Sequence, residues 1–470
     1  MNKFRRYVAL FILILLLAVQ TVSAAPATTV NTMRFSQTPE KIRIVFDVNN
    51  LPAHKVVLEQ QPLQLVITFD GSLGKKVMQQ TTFNDVYVNS LKITEVQPGK
   101  LQAVIALKHS VVYKVFTLTG PNRLVIDIIK EYDQKIQQEI APGLQSRTWF
   151  RGRKAGPIAA HILEIDPKAG FMVKPTLSND RVAGLETVKS MAVRSNALAA
   201  VNASYFGLNG EIIGLLKMNG QIVSVPGLAR TALGILPNGS MVFDSVDYSG
   251  HVTLPDGRIV AITGVNCERG QDDLILYNEH YDQSTNTNEY GIEYVISGDK
   301  VTAINPKDSL LQPDSVVLSA HGAAGALPEL KVGDTVKITE TLGPVYDKAI
   351  YAIGAGPTLI KNGKVSLTTT TEQFGSDVAG GRAPRTAVAT MKNGHILMVV
   401  VDGRQKHSIG MSLAELAAFM KEIGAVEAMN LDGGGSSEMV VNGEVVNIPS
   451  DGRERRVGDA LIVVKKADNG

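Results

Sequence analysis

Cysteine is nearly absent from this chain. Cys267 is the only one in 470 residues. No internal disulfide can form, and cysteine-rich zinc or iron–sulfur sites are excluded. There is one tryptophan, Trp149, and aromatic residues make up 6% of the sequence. Charge of one sign is also missing: 47 basic residues face 45 acidic ones, for a formal +2. That balance speaks against a dedicated nucleic-acid binder, whose binding face carries a strong basic excess. After residue 24 no apolar run is long enough to span a bilayer. What is present is ordinary globular material, 44% hydrophobic and 20% charged, which rules out a mostly disordered chain. Length alone suggests about three domains. The 43 glycines fit many turns between short strands.

Residues 1–24 have the pattern of a secretory signal peptide. Lys3, Arg5 and Arg6 form a basic start, residues 8–19 are apolar, and Val22-Ser23-Ala24 puts small residues before a cleavage point. The apolar stretch is shorter than the about 20 residues a membrane span needs. The expected mature protein is therefore exported, soluble and without a membrane span. Without the three basic residues the formal charge falls from +2 to −1. Export without disulfides fits a bacterial periplasm or cell surface.

Residues 30–130 read as all-β. Residues 41–48, 63–69, 101–107 and 123–129 are strand-like, rich in β-branched residues. The stretch from Lys41 also aligns without gaps on the stretch from Lys100. Val45 matches Val104, Lys55-Val56 matches Lys114-Val115, Pro62 matches Pro121, and Leu65-Val66-Ile67 matches Leu124-Val125-Ile126. Neither copy can cover its own apolar face, so the pair predicts a small sandwich. This pattern resembles the AMIN domain of exported envelope proteins. The resemblance implies a module that binds cell-wall or envelope polymer. His54 and His109 read as surface or loop residues. Residues 131–143, polar and then Ala-Pro-Gly, read as a linker.

Residues 144–468 are expected to form a larger mixed α/β catalytic domain with a β-rich insertion at about 245–345, so that the whole chain is α+β. Residues 182–192 have helical spacing. Residues 198–202 form an apolar strand ending in Asn202-Ala203-Ser204-Tyr205-Phe206. Arg385-Thr386-Ala387 opens a strand, and residues 395–401 form an almost wholly apolar one that ends in Asp402-Gly403-Arg404. Ser412 and Glu415 make a capping box for a helix over 413–423, stopped by Gly424. Then come Ala428 to Leu431 and Asp432-Gly433-Gly434-Gly435-Ser436-Ser437-Glu438. Three glycines allow close backbone approach, and successive amides with serine hydroxyls can cradle an anion. Between two strands this loop is neither a Walker loop nor a dinucleotide fingerprint. A tight hairpin connection would look the same. Cys267 has no histidine partner nearby, and His321 reads as structural.

These segments, in this order, resemble the phosphodiester glycosidase family. The resemblance extends to Ile448-Pro449-Ser450-Asp451 and the closing strand at 460–464. It implies hydrolysis of a sugar-1-phosphodiester at the glycosidic carbon, with an envelope glycopolymer as the expected partner and no nucleic acid. The leaving phosphate needs charge neutralisation more than a proton. Arg385 or Arg404 suits that role, helped by the Gly433, Gly434 and Gly435 amides, Ser436 and Ser437. A carboxylate must activate water or attack the sugar; Asp432 and Asp402 are the leading candidates and Glu211 the third. Asn202 and Thr386 are expected to hold substrate. No cofactor is expected and no metal ligand set stands out, although Asp432 and Asp402 could together hold a divalent cation. Two alternatives remain: an envelope polymer-binding protein without catalysis, and a glycosidase acting on non-phosphorylated glycosides.

Overall fold

The computed structural model describes residues 28–326 and 330–466. The expected signal peptide lies outside the described residues. Two compact units are present, residues 1–131 and residues 132–470.

The smaller unit consists of two five-stranded sheets whose apolar faces share one core. The internal duplication explains how they are built. Strand Lys41–Val48, the first of one copy, pairs with Arg123–Ile129, the last of the other. Conversely, Leu63–Asp70 pairs with Lys100–Leu107. Each copy therefore contributes to both sheets. Ile42, Ile44 and Phe46 of one copy meet Leu101, Ala103 and Ile105 of the other in the shared core. Alternate side chains along each strand point to opposite faces, which is why every second residue enters that core.

In the larger unit, residues 132–141 are not a linker. Strand Tyr132–Ala141 pairs along its length with Leu144–Arg153 and forms the edge of an eight-stranded sheet. Its polar composition belongs to an exposed edge strand, where charged and amide side chains discourage further pairing. The sheet continues through Gly156–Ile165, Ile396–Val401, Arg385–Met391, Ala425–Asn430, Thr358–Lys361 and Lys364–Val365, all antiparallel. A second, five-stranded sheet includes Phe171–Leu177, Asp459–Lys465, Ala199–Asn202 and Met439–Val441.

The wholly apolar strand Ile396–Val401 is buried on both faces. Ile396, Met398 and Val400 join the core between the two sheets. Leu397, Val399 and Val401 pack with Leu413, Leu416 and Met420 of the helix Leu413–Glu422. A strand covered on both sides loses the alternation that a half-exposed strand shows. The second sheet is covered likewise: Ala200, Ala460 and Ile462 pack against Val188 and Met191 of the helix Val188–Arg194.

The expected mixed α/β character is not met. Strand amounts to 51% and helix to 8%, and the strand pairs of the main sheets are antiparallel. The helix expected over 182–192 is shortened to Val188–Arg194, because Gly184 takes a φ of +149 and Thr187 caps from the extended region. Val182 is buried, but on a non-helical approach. The helix after Ser412 has its capping box: Ser412 Oγ accepts from Glu415 N at 3.2 Å, and Glu415 Oε2 accepts from Ser412 N at 2.9 Å. Within residues 245–345, Leu274–Tyr277, Ser315–His321, Gly291–Ser297 and Lys300–Asn305 form part of another five-stranded sheet, over an apolar cluster shared with Leu215, Ile222, Ala232 and Ala352.

Candidate active site

Antiparallel pairing brings several strand ends to one place. Arg385 opens its strand opposite Val401, so it lies beside the end that leads into Asp402. Asn430, at the end of its strand, pairs with Ala387, which delivers Asp432 to the same rim. From the second sheet, Asn202 pairs with Ala460, beside Asp459.

The Asp432 loop is held from both sheets. The Asp432 amide donates to Ala203 O at 2.9 Å, and Asn202 Nδ2 donates to Asp432 O at 2.6 Å. Asn202 Oδ1 accepts from the Thr386 hydroxyl at 2.8 Å and from Glu438 N at 3.2 Å. Asn202 and Thr386 are buried. Their polar groups brace the loop, whereas the sequence reading expected them to hold substrate. Ser204 is tied down through Asp459, whose carboxylate accepts from Ser204 N at 2.8 Å and from its hydroxyl at 2.7 Å.

The Asp432 carboxyl is pushed up to about 6 by burial, against hydrogen bonds from Ser436 and the Gly433 amide and the charge of Arg455. The Gly433 amide donates to Asp432 Oδ1 at 2.8 Å. The Gly434 amide goes to Pro384 O at 2.9 Å. Two of the three glycine amides are thus taken by the protein, which weakens the expected anion cradle. Among the described residues no protein acceptor takes the Gly435 amide.

Two guanidinium groups flank the glycines. Arg404 Nη1 lies 3.3 Å from where a Cβ on Gly434 would stand, and Gly434 has a φ of +62. A Cβ on Gly435 would collide with the Arg455 guanidinium and with Asp451. The left-handed backbone at Gly434 favours glycine, and at Gly435 a Cβ would push the Arg455 guanidinium aside. Arg404 is exposed and has no ion-pair partner among the described residues. Arg455 is exposed and donates to Asp451 Oδ2 from Nε at 2.9 Å and from Nη2 at 2.6 Å.

Arg385 plays another part. Its Nε, Nη1 and Nη2 donate to the carbonyls of Met411, Val378 and Gly381 at 3.0, 2.9 and 3.2 Å. It is buried with no carboxylate partner among the described residues, and burial together with Arg404 lowers its pKa. Arg385 is a strut carrying positive charge under the site, not the two-point phosphate clamp expected of it. Tyr205 closes another side. Its hydroxyl donates to Gly356 O and accepts from Asn430 Nδ2, both at 3.0 Å. Burial and the Asp432 charge raise its pKa.

The structure does not offer Asp402 as a catalytic carboxylate. It is buried, and its oxygens are taken by His407 Nε2 at 3.0 Å, His161 Nε2 at 3.3 Å, Asn447 Nδ2 at 3.1 Å and Ile448 N at 3.1 Å. Burial pushes its pKa up, but these hydrogen bonds outweigh it and hold the carboxylate well below its usual range. A group so stabilised as an anion is a poor base. Nor are its oxygens free to join Asp432 around a cation. Asn447 also donates to Ser437 O at 3.1 Å, so Asp402 supports the glycine loop from behind.

Glu211 sits elsewhere: its carboxylate meets the Tyr281 hydroxyl at 3.4 Å, and burial with nearby Glu268 raises its pKa. Cys267 is pushed up to about 12 by burial and neighbouring carboxylates, which keeps it a thiol. Arg455 and Asp459 are the residues that sequence reasoning missed. The run Arg453-Glu454-Arg455-Arg456 was visible, but nothing local says which arginine folds over Gly435.

Residues 290–464 match the family model of the phosphodiester glycosidases. This stretch contains Arg385, Arg404, Asp432 and Arg455, while Asn202, Tyr205 and Glu211 precede it. Among relatives, the chain is 32% identical over 121 residues to mouse N-acetylglucosamine-1-phosphodiester alpha-N-acetylglucosaminidase, covering 24% of this chain and 23% of that protein. The chain spans 12–23% of the length of the curated relatives it matches. Among solved structures, a hypothetical protein from Synechocystis has a TM-score of 0.66 at 23% identity, over 93% of this chain and 80% of that one. An exported protein of Burkholderia pseudomallei has a TM-score of 0.58 at 23% identity, over 88% of this chain and 97% of that one. At these identities the two structures speak for the fold.

Proposed function

We propose that the chain hydrolyses a sugar-1-phosphodiester at the anomeric carbon. The observation that carries this reading is Asp432, a carboxyl raised to about 6, on a glycine loop flanked by the guanidinium groups of Arg404 and Arg455. In ordinary glycoside hydrolysis two carboxyl groups are needed, because the leaving alcohol must be protonated. With Asp402 committed elsewhere, Asp432 is the carboxylate of the glycine loop left to act as base; Glu438, buried at the loop's end beside Glu454, is pushed up to about 8 and stays protonated. One carboxylate suffices when the leaving group is a phosphate monoester, which departs without a proton. Ionised Asp432 takes a proton from water as the water oxygen bonds to the anomeric carbon. The bond from that carbon to the phosphate oxygen breaks, and its electron pair stays on the phosphate. Arg404 and Arg455 neutralise the charge that develops there.

The finer reading is an exported enzyme acting on cell-envelope glycopolymers. The basic and apolar start of the sequence and the likeness to an exported protein support it. For the duplicated β unit we propose AMIN-like binding of envelope polymer. Among the described residues no helix is long and apolar enough to cross a membrane.

The test is turnover of a GlcNAc-1-phosphodiester such as UDP-GlcNAc, followed by release of free GlcNAc. Wild type is expected to turn over, with Asp432→Asn and Arg455→Ala each strongly impaired. Activity that survives both substitutions would place the chemistry elsewhere. Polymer binding without turnover of any phosphodiester would favour a binding protein.

A further inference from the structure

The larger unit has a concavity at the end of its sheet opposite the candidate active site. It lies among the start of strand Phe171–Leu177, the turn after Arg230–Ile235 and the turn between Arg385–Met391 and Ile396–Val401. Strand Arg385–Met391 begins at the candidate active site and ends in this groove. Six strand steps separate the two ends by about 20 Å. The groove holds about 680 Å³, within the range of small-molecule sites. Its walls include Phe171, Ile235, Met241 and Met391. Methionine is flexible and polarisable, so such walls adapt to an apolar chain.

Charge sets the kind of ligand. Lys168, Lys392 and Lys466 line the same groove and are exposed. None of the three is in an ion pair among the described residues. The described lining residues include no aspartate or glutamate. Lys466 Nζ donates to Pro167 O at 3.4 Å. Three ammonium groups with no carboxylate partner around an apolar trough complement a molecule with one anionic end and a hydrocarbon body.

We propose that this groove binds a free single-chain anionic amphiphile, its chain against the apolar wall and its carboxylate or phosphate among Lys168, Lys392 and Lys466. The site is independent of the proposed hydrolytic chemistry. The experiment is calorimetric titration of the full chain with dodecanoate below its micelle concentration. Dodecanol and dodecyltrimethylammonium serve as controls, and anionic phospholipid vesicles as a separate arm. Dodecanoate is expected to bind, and both controls to bind at least about tenfold more weakly, the factor that one charge-assisted contact supplies. The Lys168→Gln/Lys392→Gln/Lys466→Gln variant should lose about the same factor. Its residues are exposed, so folding is checked by an unchanged melting curve. Met241→Trp, which fills the trough, should weaken dodecanoate with the lysines intact. No dodecanoate binding, equal binding of dodecanol, insensitivity to the lysine variant, or binding to vesicles alone would each overturn the proposal.

Discussion

Asp432→Asn keeps the size of the side chain and removes its ability to accept a proton. For a general base the expected loss in turnover is about 10²–10⁴-fold, read in a GlcNAc-release assay. Because the base works ionised, kcat/KM of the wild type should rise with pH and level off above about 6, the value to which burial pushes this carboxyl. A profile that falls through that region would reverse its role to acid. Stability carries the opposite sign. A carboxyl whose folded pKa is raised favours folding most at low pH, and that contribution fades as pH rises through about 6. Asp432→Asn should therefore melt higher than wild type at pH 8 and about equally at pH 4. At the flanking position, Gly435→Ala should act like Arg455→Ala, because a Cβ there displaces the guanidinium. Both are expected to lower kcat/KM by about 10–100-fold, the range for a lost charge-assisted contact. Asp402→Ala belongs to another class. Removing a buried anion from its two histidines and Asn447 should destabilise the fold by about 3–5 kcal/mol in denaturant unfolding.

At the scale of elements, the helix Leu413–Glu422 covers one face of the eight-stranded sheet and is anchored by its first turn. Ser412→Ala should cost about 1 kcal/mol, measured in urea, with little change in substrate affinity. This helix was legible in the sequence because its signals are local: a capping serine, a glutamate three residues on, apolar spacing and Gly424. The short helix Val188–Arg194 was overextended by the same spacing argument, since apolar Val182 and Leu185 are consistent with a helix but also with a strap over a core. Strand Tyr132–Ala141 was read as a linker for a related reason. An exposed edge strand is polar, and its strand character lies in the neighbour it pairs with. The wholly apolar strand Ile396–Val401 was recognised, yet only the helix on one side and the second sheet on the other explain its composition.

For the whole molecule, each unit has its own core, residues 1–131 around the duplicated sheets and residues 132–470 around the sheet pair. A chain of residues 132–470 alone is expected to unfold in one cooperative transition and to keep its turnover of soluble phosphodiesters. A loss of cooperative melting would show that the larger unit depends on the smaller.

Order along the chain was enough to mark the Asp432 loop, its glycines and the strands on either side, because close backbone approach and strand propensity are properties of short segments. It was also enough to pair the two copies in the smaller unit, because a repeated half cannot cover its own apolar face. Choosing among carboxylates and arginines was beyond it. Asp402 and Asp432 look alike in sequence, each following an apolar strand. Folding surrounds one with four hydrogen-bond donors and leaves the other half-buried with a raised pKa. Arg385 and Arg455 change places in the same way, the first drawn into a ring of carbonyls and the second laid over Gly435. Burial and hydrogen-bond partners come from strands far apart in the chain, so the closing of the two sheets decides which charges are used up and which remain for chemistry.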